Sequence, residues 1–204
     1  MDPFTAHIDT AIDALATHGW CVLEGLLSEA ATAALADECA AMHASGELAA
    51  ARVGREKTLS TLRGDHTRWF DMATPTAAQR PYVEALEALR VAFNRGLMLG
   101  LVENEAHYAV YPPGARYARH LDQPHQREAR VVSVVYYLNA DWQPQDGGAL
   151  RLYLDDGSHR DVLPHAGRMV LFLSDRFEHE VLPATRERMS IACWMRRREP
   201  GALI

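Results

Sequence analysis

The chain has 204 residues, of which 48% are hydrophobic and 24% charged, and a formal net charge of -6. That is enough for one domain with a real core, and too apolar for a disordered chain. The acidic balance argues against a nucleic-acid binder, and no apolar run reaches the roughly 20 residues of a membrane span.

The opening stretch MDPFTAHIDTAID has acidic residues and no basic n-region, so it reads as no signal peptide and the chain is expected in the cytoplasm. Ile8, Ile12 and Leu15 recur at helical spacing, which predicts a helix over 6–17 ended by Gly19. WCVLEGLL (20–27) reads as a short strand. Ser28 then caps an Ala-rich helix running to about 44 and stopped near Gly46. Residues 46–66 are polar and contain glycine, so they are expected as loop. PTAAQRPYVEALEALRVAFNRGL (75–97) is a long amphipathic helix with Leu86, Leu89, Phe93 and Leu97 along one face. Cys21, Cys39 and Cys193 are odd in number, far apart and form no CxxC pair, which excludes a disulfide framework and a zinc finger.

The second half changes character. AHYAVYPPG, RVVSVVYYLN, GALRLYL, RMVLFLS and RMSIACWM are strand runs separated by glycine and proline turns. The expected fold is mainly β with supporting helices: a single domain over 1–204, with 1–105 as helical support and loop and 106–198 as a jelly-roll core.

YARHLDQPH (117–125) sets His120 and Asp122 two residues apart. On a strand both side chains point to one face, so an imidazole and a carboxylate converge. The third ligand has to come from His125, His159, His165 or His179. His179, which follows a long apolar strand where a barrel rim would lie, is the choice. Two histidines and one carboxylate are the donor set of non-haem Fe(II) oxygenases. The triplet alone does not separate a metal site from ordinary polar residues. Arg188 adds a second signal. A guanidinium inside the apolar run RMSIACWM is costly unless it meets an anion, and its fork suits a carboxylate. A 2-oxo dicarboxylic acid would satisfy both features, one end on the metal and the other on Arg188.

With these residues in place the chain resembles the 2-oxoglutarate- and Fe(II)-dependent prolyl hydroxylases, in the branch that holds the hypoxia-inducible-factor prolyl hydroxylases and their bacterial relatives. The resemblance runs through GWCVLEGLL, LRGDHTRWF, YPPGARYARHLDQP, VVYYLNADWQPQDGGALRLY and LFLSDRFEHEVLPATRERMSIACW. It implies a double-stranded β-helix. It implies iron on His120, Asp122 and His179, and 2-oxoglutarate on Arg188 with Tyr137 beside it and Tyr111 near the metal. O2 is the further co-substrate, and ascorbate is a candidate reductant. Arg63, Asp65 and Trp69 would belong to a mobile loop over the substrate, with Arg63 and Asp65 tying that loop or touching the substrate and Trp69 helping to line the pocket, and Arg130 and Trp194 would lie near the substrate proline. The implied partner is a protein with an exposed proline loop, elongation factor Tu being the candidate. In two places the chain departs from the animal enzymes: the turn YPPGARY is one residue shorter, and Ala192 stands where they carry threonine. A monomer is expected, since no apolar helix face or heptad is left over. The rival readings are a hydroxylase of free proline or another small molecule, a cupin-like metal sensor with no use for Arg188 or Tyr137, and an adhesion module through Arg63-Gly64-Asp65.

Overall fold

A computed structural model describes residues 3–53, 58–59, 63–123 and 129–198. In chain order the elements are α1 (Pro3–Thr17), β1 (Trp20–Glu24), α2 (Glu29–Ala44), β2 (Ala49–Ala50), β3 (Arg52–Val53), β4 (Thr58–Leu59), β5 (His66–Trp69) and α3 (Arg80–Leu97). There follow β6 (Leu101–Tyr111), β7 (Tyr117–His120), β8 (Arg130–Tyr137), β9 (Leu150–Tyr153), β10 (His159–Val162), β11 (Arg168–Leu173), β12 (His179–Val181) and β13 (Arg188–Arg197). Ser28 caps α2 by accepting from the Ala31 N–H at 3.2 Å. α3 begins at Arg80 rather than at 75, because Asp71 first binds the Ala73 and Thr74 amides in a turn and Pro81 fits a first helical turn.

The strands form a seven-stranded antiparallel sheet ordered β1-β11-β8-β13-β6-β5-β2, and a four-stranded one ordered β10-β9-β12-β7. The two sheets make the double-stranded β-helix. Side-chain alternation divides the large sheet into two faces. Ala106, Tyr108 and Val110 of β6, with Ile191, Cys193 and Met195 of β13, pack against the helices, including Leu35, Leu86, Leu89 and Phe93. Ala109 and Tyr111, with Tyr137, Val170 and Phe172, face Leu150, Leu152 and Val181 of the small sheet. The functional chamber lies between the sheets.

Three expectations need correction. Residues 46–66 are not all loop: β2 pairs with β5, which pairs with β6, so this stretch extends the large sheet. β6 begins at Leu101, five residues before the apolar run; this polar portion includes the exposed Val102 and still pairs with β13. β10 and β12 carry charged or histidine side chains and gave no apolar run to read. His125, much of the 46–62 loop and the tail beyond 198 lie outside the described residues.

Candidate active site

β7 ends at His120, so strand alternation is not what brings Asp122 round. The chain bends over 121–123 and turns the carboxylate back toward the ring. His179 arrives from β12, whose antiparallel register with β7 sets it directly opposite His120, ring centroids 4.3 Å apart. Asp122 Oδ1 lies 3.5 Å from His120 Nε2, and Oδ2 lies 3.6 Å from His179 Nε2. One ligand atom from each residue falls within 4.8 Å of the others.

The surroundings prepare these groups for a cation. His120 Nδ1 lies 2.7 Å from the Ala118 carbonyl and His179 Nδ1 lies 3.3 Å from that of Phe177. Each Nδ1–H therefore donates to backbone, and each Nε2 keeps its lone pair for a metal. Burial pushes the His179 pKa down, which favours the neutral ring that ligation requires. For Asp122 burial works the other way, but positive charge on the two facing rings, as in the metal-free protonated state, and the Ser133 hydroxyl outweigh it and hold the carboxyl well below its usual range; a bound cation would supply that charge with the rings neutral. Ser133 donates to Asp122 Oδ2 at 2.7 Å, so the Ser174 hydroxyl, 2.8 Å from Ser133 Oγ, donates in turn to Ser133. Two neutral imidazoles and one anionic carboxylate fit Fe(II).

Arg188 lies further into the chamber with 1% of its surface exposed. Strand register places it opposite Tyr111, while its neighbour Ser190 sits opposite Tyr137. The guanidinium carbon is 5.3 Å from the Tyr111 ring centroid and 5.0 Å from that of Tyr137. Arg188 Nε donates to the Gly148 carbonyl at 2.8 Å and Nη1 donates to Ser190 Oγ at 3.3 Å. Its Nη2 and the Tyr137 hydroxyl are buried and form no hydrogen bond among the described residues. No carboxylate side chain pairs with this arginine among the described residues. A buried cationic edge with a phenol beside it suits the distal carboxylate of 2-oxoglutarate. Gly148 permits the arrangement. With φ +68, a Cβ there would stand 2.9 Å from Ala184 Cβ and 3.3 Å from Arg188 Cδ. Asn139 braces the same corner, donating to the Met189 carbonyl and accepting from the Met189 N–H.

The remaining candidates cluster around Tyr117 and Trp194. Arg63 and Asp65 form a bidentate pair whose carboxylate is fully buried. The Arg63 guanidinium lies 4.7 Å from the Tyr117 ring centroid, and Tyr117 stacks on His120 at 3.7 Å. Arg63 thus meets the strand that carries a metal-ligand candidate, its backbone bridging to that of Tyr117. Arg130 lies over the Trp194 ring at 3.7 Å and pairs with Glu105 at 2.8 Å. Trp69 is half exposed, 6.1 Å from Trp194 between centroids. It stands at the edge of the chamber rather than in its wall.

A model of the 2OG-Fe(II) oxygenase superfamily matches residues 106–196. A crystal structure of a Pseudomonas putida prolyl-4-hydroxylase superposes with a TM-score of 0.87 and 47% identity, over 94% of this chain and 99% of that one. The chain belongs to the 2-oxoglutarate- and Fe(II)-dependent prolyl hydroxylase family. Human prolyl hydroxylase EGLN3 is 30% identical over 86% of this chain and 77% of its own length. A Trichoplax adhaerens prolyl hydroxylase, solved with a hypoxia-inducible-factor peptide fragment, superposes at a TM-score of 0.87 with 28% identity, over 95% of this chain and 90% of that one. The chain spans 27% and 43% of the length of the first two curated relatives it matches.

Sequence reading missed several members of the site. Ser133, Gly148 and Ser174 carry no motif that marks them. His107 was legible in principle, since EAHYAVY places it at two-residue spacing with Ala109 and Tyr111 on the chamber face.

Proposed function

We propose that this protein, with residues 1–204 working as one catalytic unit, hydroxylates a prolyl residue of a polypeptide and releases succinate and CO2. One observation carries the reading: a two-histidine, one-carboxylate cluster shares a chamber with a buried guanidinium edge and phenol that find no hydrogen-bond partner among the described residues. A cupin-like sensor has a use for the first feature and none for the second.

His120, Asp122 and His179 hold Fe(II), with Ser133 and Ser174 keeping the carboxylate ionised and oriented. Arg188 Nη2 and the Tyr137 hydroxyl donate to the distal carboxylate of 2-oxoglutarate, while Tyr111 packs alongside and Val135, Leu150 and Val181 exclude water. When bound, Fe(II) and 2-oxoglutarate activate O2, one oxygen atom ending on the prolyl ring and the other in succinate. Arg63 and Asp65 fix the segment bordering the chamber. Arg130 orients Trp194, and Trp69 and Trp194 offer flat apolar surfaces to a proline ring. A relative caught with a peptide supports a polypeptide substrate. Elongation factor Tu, the partner that the resemblance implies, is the one to try first.

The test is succinate release from 2-oxoglutarate with Fe(II), ascorbate and air, with and without purified elongation factor Tu, followed by the intact mass of that protein. The expected result is partner-dependent succinate and a gain of one oxygen mass on the partner. A mass gain on free proline instead would move the substrate to a small molecule. No succinate from iron-loaded protein, with any prolyl substrate, would sink the enzyme reading.

A further inference from the structure

His107 is 2% exposed, yet it borders the chamber. Its Nδ1 lies 3.0 Å from the Tyr108 carbonyl, which makes Nδ1 the N–H and leaves Nε2 as an acceptor in the neutral ring. Nothing among the described residues bonds to that Nε2. Two indoles hold the ring in place, Trp69 edge-on at 4.7 Å and Trp194 at 5.5 Å between centroids. Trp194 presents the complementary lack: its Nε1–H is buried and has no acceptor among the described residues. Register sets His107 opposite Ala192, two residues from Trp194 along β13 and four from Tyr111 along β6. The pair thus stands at the substrate end, away from Arg188. One lone acceptor and one lone donor, side by side, match the N–H and C=O of a peptide backbone.

Resting on the prolyl-substrate reading above, we propose that His107 is a specificity-determining residue whose Nε2 accepts the backbone N–H of a residue flanking the substrate proline. The proline nitrogen within a chain carries no hydrogen, so the donor must come from a neighbour. Burial, aided by Arg63, drives the His107 pKa down to about 4, which keeps Nε2 unprotonated in neutral solution.

The test uses a synthetic peptide copied from the stretch that gains oxygen in the wild-type assay. His107→Phe keeps a ring and removes the acceptor; the expected result is a KM for the peptide raised roughly tenfold, the worth of about one hydrogen bond. In the same variant kcat at saturating peptide stays within about threefold, and 2-oxoglutarate binding, read from the absorbance of the Fe(II) complex, does not change. His107→Gln, which retains an acceptor, recovers most of the loss. Peptides N-methylated at each flanking amide supply a readout that does not depend on how the variants fold. One methylation should cost wild type the same factor and cost His107→Phe nothing more. An unchanged KM in His107→Phe, or equal methylation penalties in both proteins, overturns the inference while leaving the prolyl hydroxylase reading intact. No mass gain with wild type on any prolyl peptide overturns that reading and this one with it.

Discussion

A guanidinium withdrawn from water, with one carbonyl, one hydroxyl and two phenol rings for company, gives up hydration worth several kcal/mol. Arg188→Met should therefore leave the ligand-free protein at least as stable as wild type in thermal melts, while 2-oxoglutarate affinity measured by calorimetry falls about 100-fold or more. A variant that binds 2-oxoglutarate as well as wild type would remove Arg188 from the site. Ser133→Ala acts through Asp122 and should weaken Mn(II) or Fe(II) binding about 10–100-fold without unfolding the chain, as metal titration would show. His107 makes a prediction about acid. Burial comes first and Arg63 and Arg130 add to it, against Asp65, so the folded ring titrates near 4 and the unfolded one near 6.5. The unfolded state binds the extra proton between those values. Stability is therefore complete above pH 6.5 and falls on acidification to about 4, by on the order of 3 kcal/mol from this group. Urea denaturation of metal-free protein should show a shallower loss over that window in His107→Gln than in wild type.

At the level of elements, the apolar strands were legible and the polar ones were not. RVVSVVYY and RMVLFL read directly as β8 and β11, because burial on both faces leaves an unbroken apolar run. β12 is three residues long, and its sequence HEV shows nothing of the register that places His179 opposite His120. That pairing is a tertiary fact, and a slip of one residue would turn the ring out of the chamber. The spacing of His120 and Asp122 was likewise readable, although a bend after the strand, and not the strand, produces the convergence. Arg63 and Asp65 could be named from the resemblance, with a tie as one of their two roles, but not that the pair is a buried clasp. If the clasp holds the segment before β5, Arg63→Ala leaves Asp65 buried and alone and should cost about 3 kcal/mol in urea denaturation. Asp65→Asn added to that variant should restore part of the loss, and a double-mutant cycle without coupling would refute the clasp.

For the whole molecule, ligands that bind only the folded state should raise stability together. Mn(II) and 2-oxoglutarate, each at 100 times its Kd, should each add about 2.7 kcal/mol. For a chain of this size each step raises Tm by about 5–10 °C, and a chelator should reverse both if 2-oxoglutarate needs the metal. The same melts on His179→Ala should show neither rise; a full metal-induced shift there would displace the proposed centre. The two-faced large sheet constrains how such a protein can change. Along β6, even-numbered positions from 106 to 110 serve the helices and odd-numbered ones from 107 to 111 serve the chamber. Inserting or deleting one residue inside that strand would exchange the two sets, sending Tyr108 toward the co-substrate and His107 into the apolar layer. Pro112–Arg116 lies outside the ladder and answers to no such parity. Length is therefore free to drift in this turn and frozen in the strand before it.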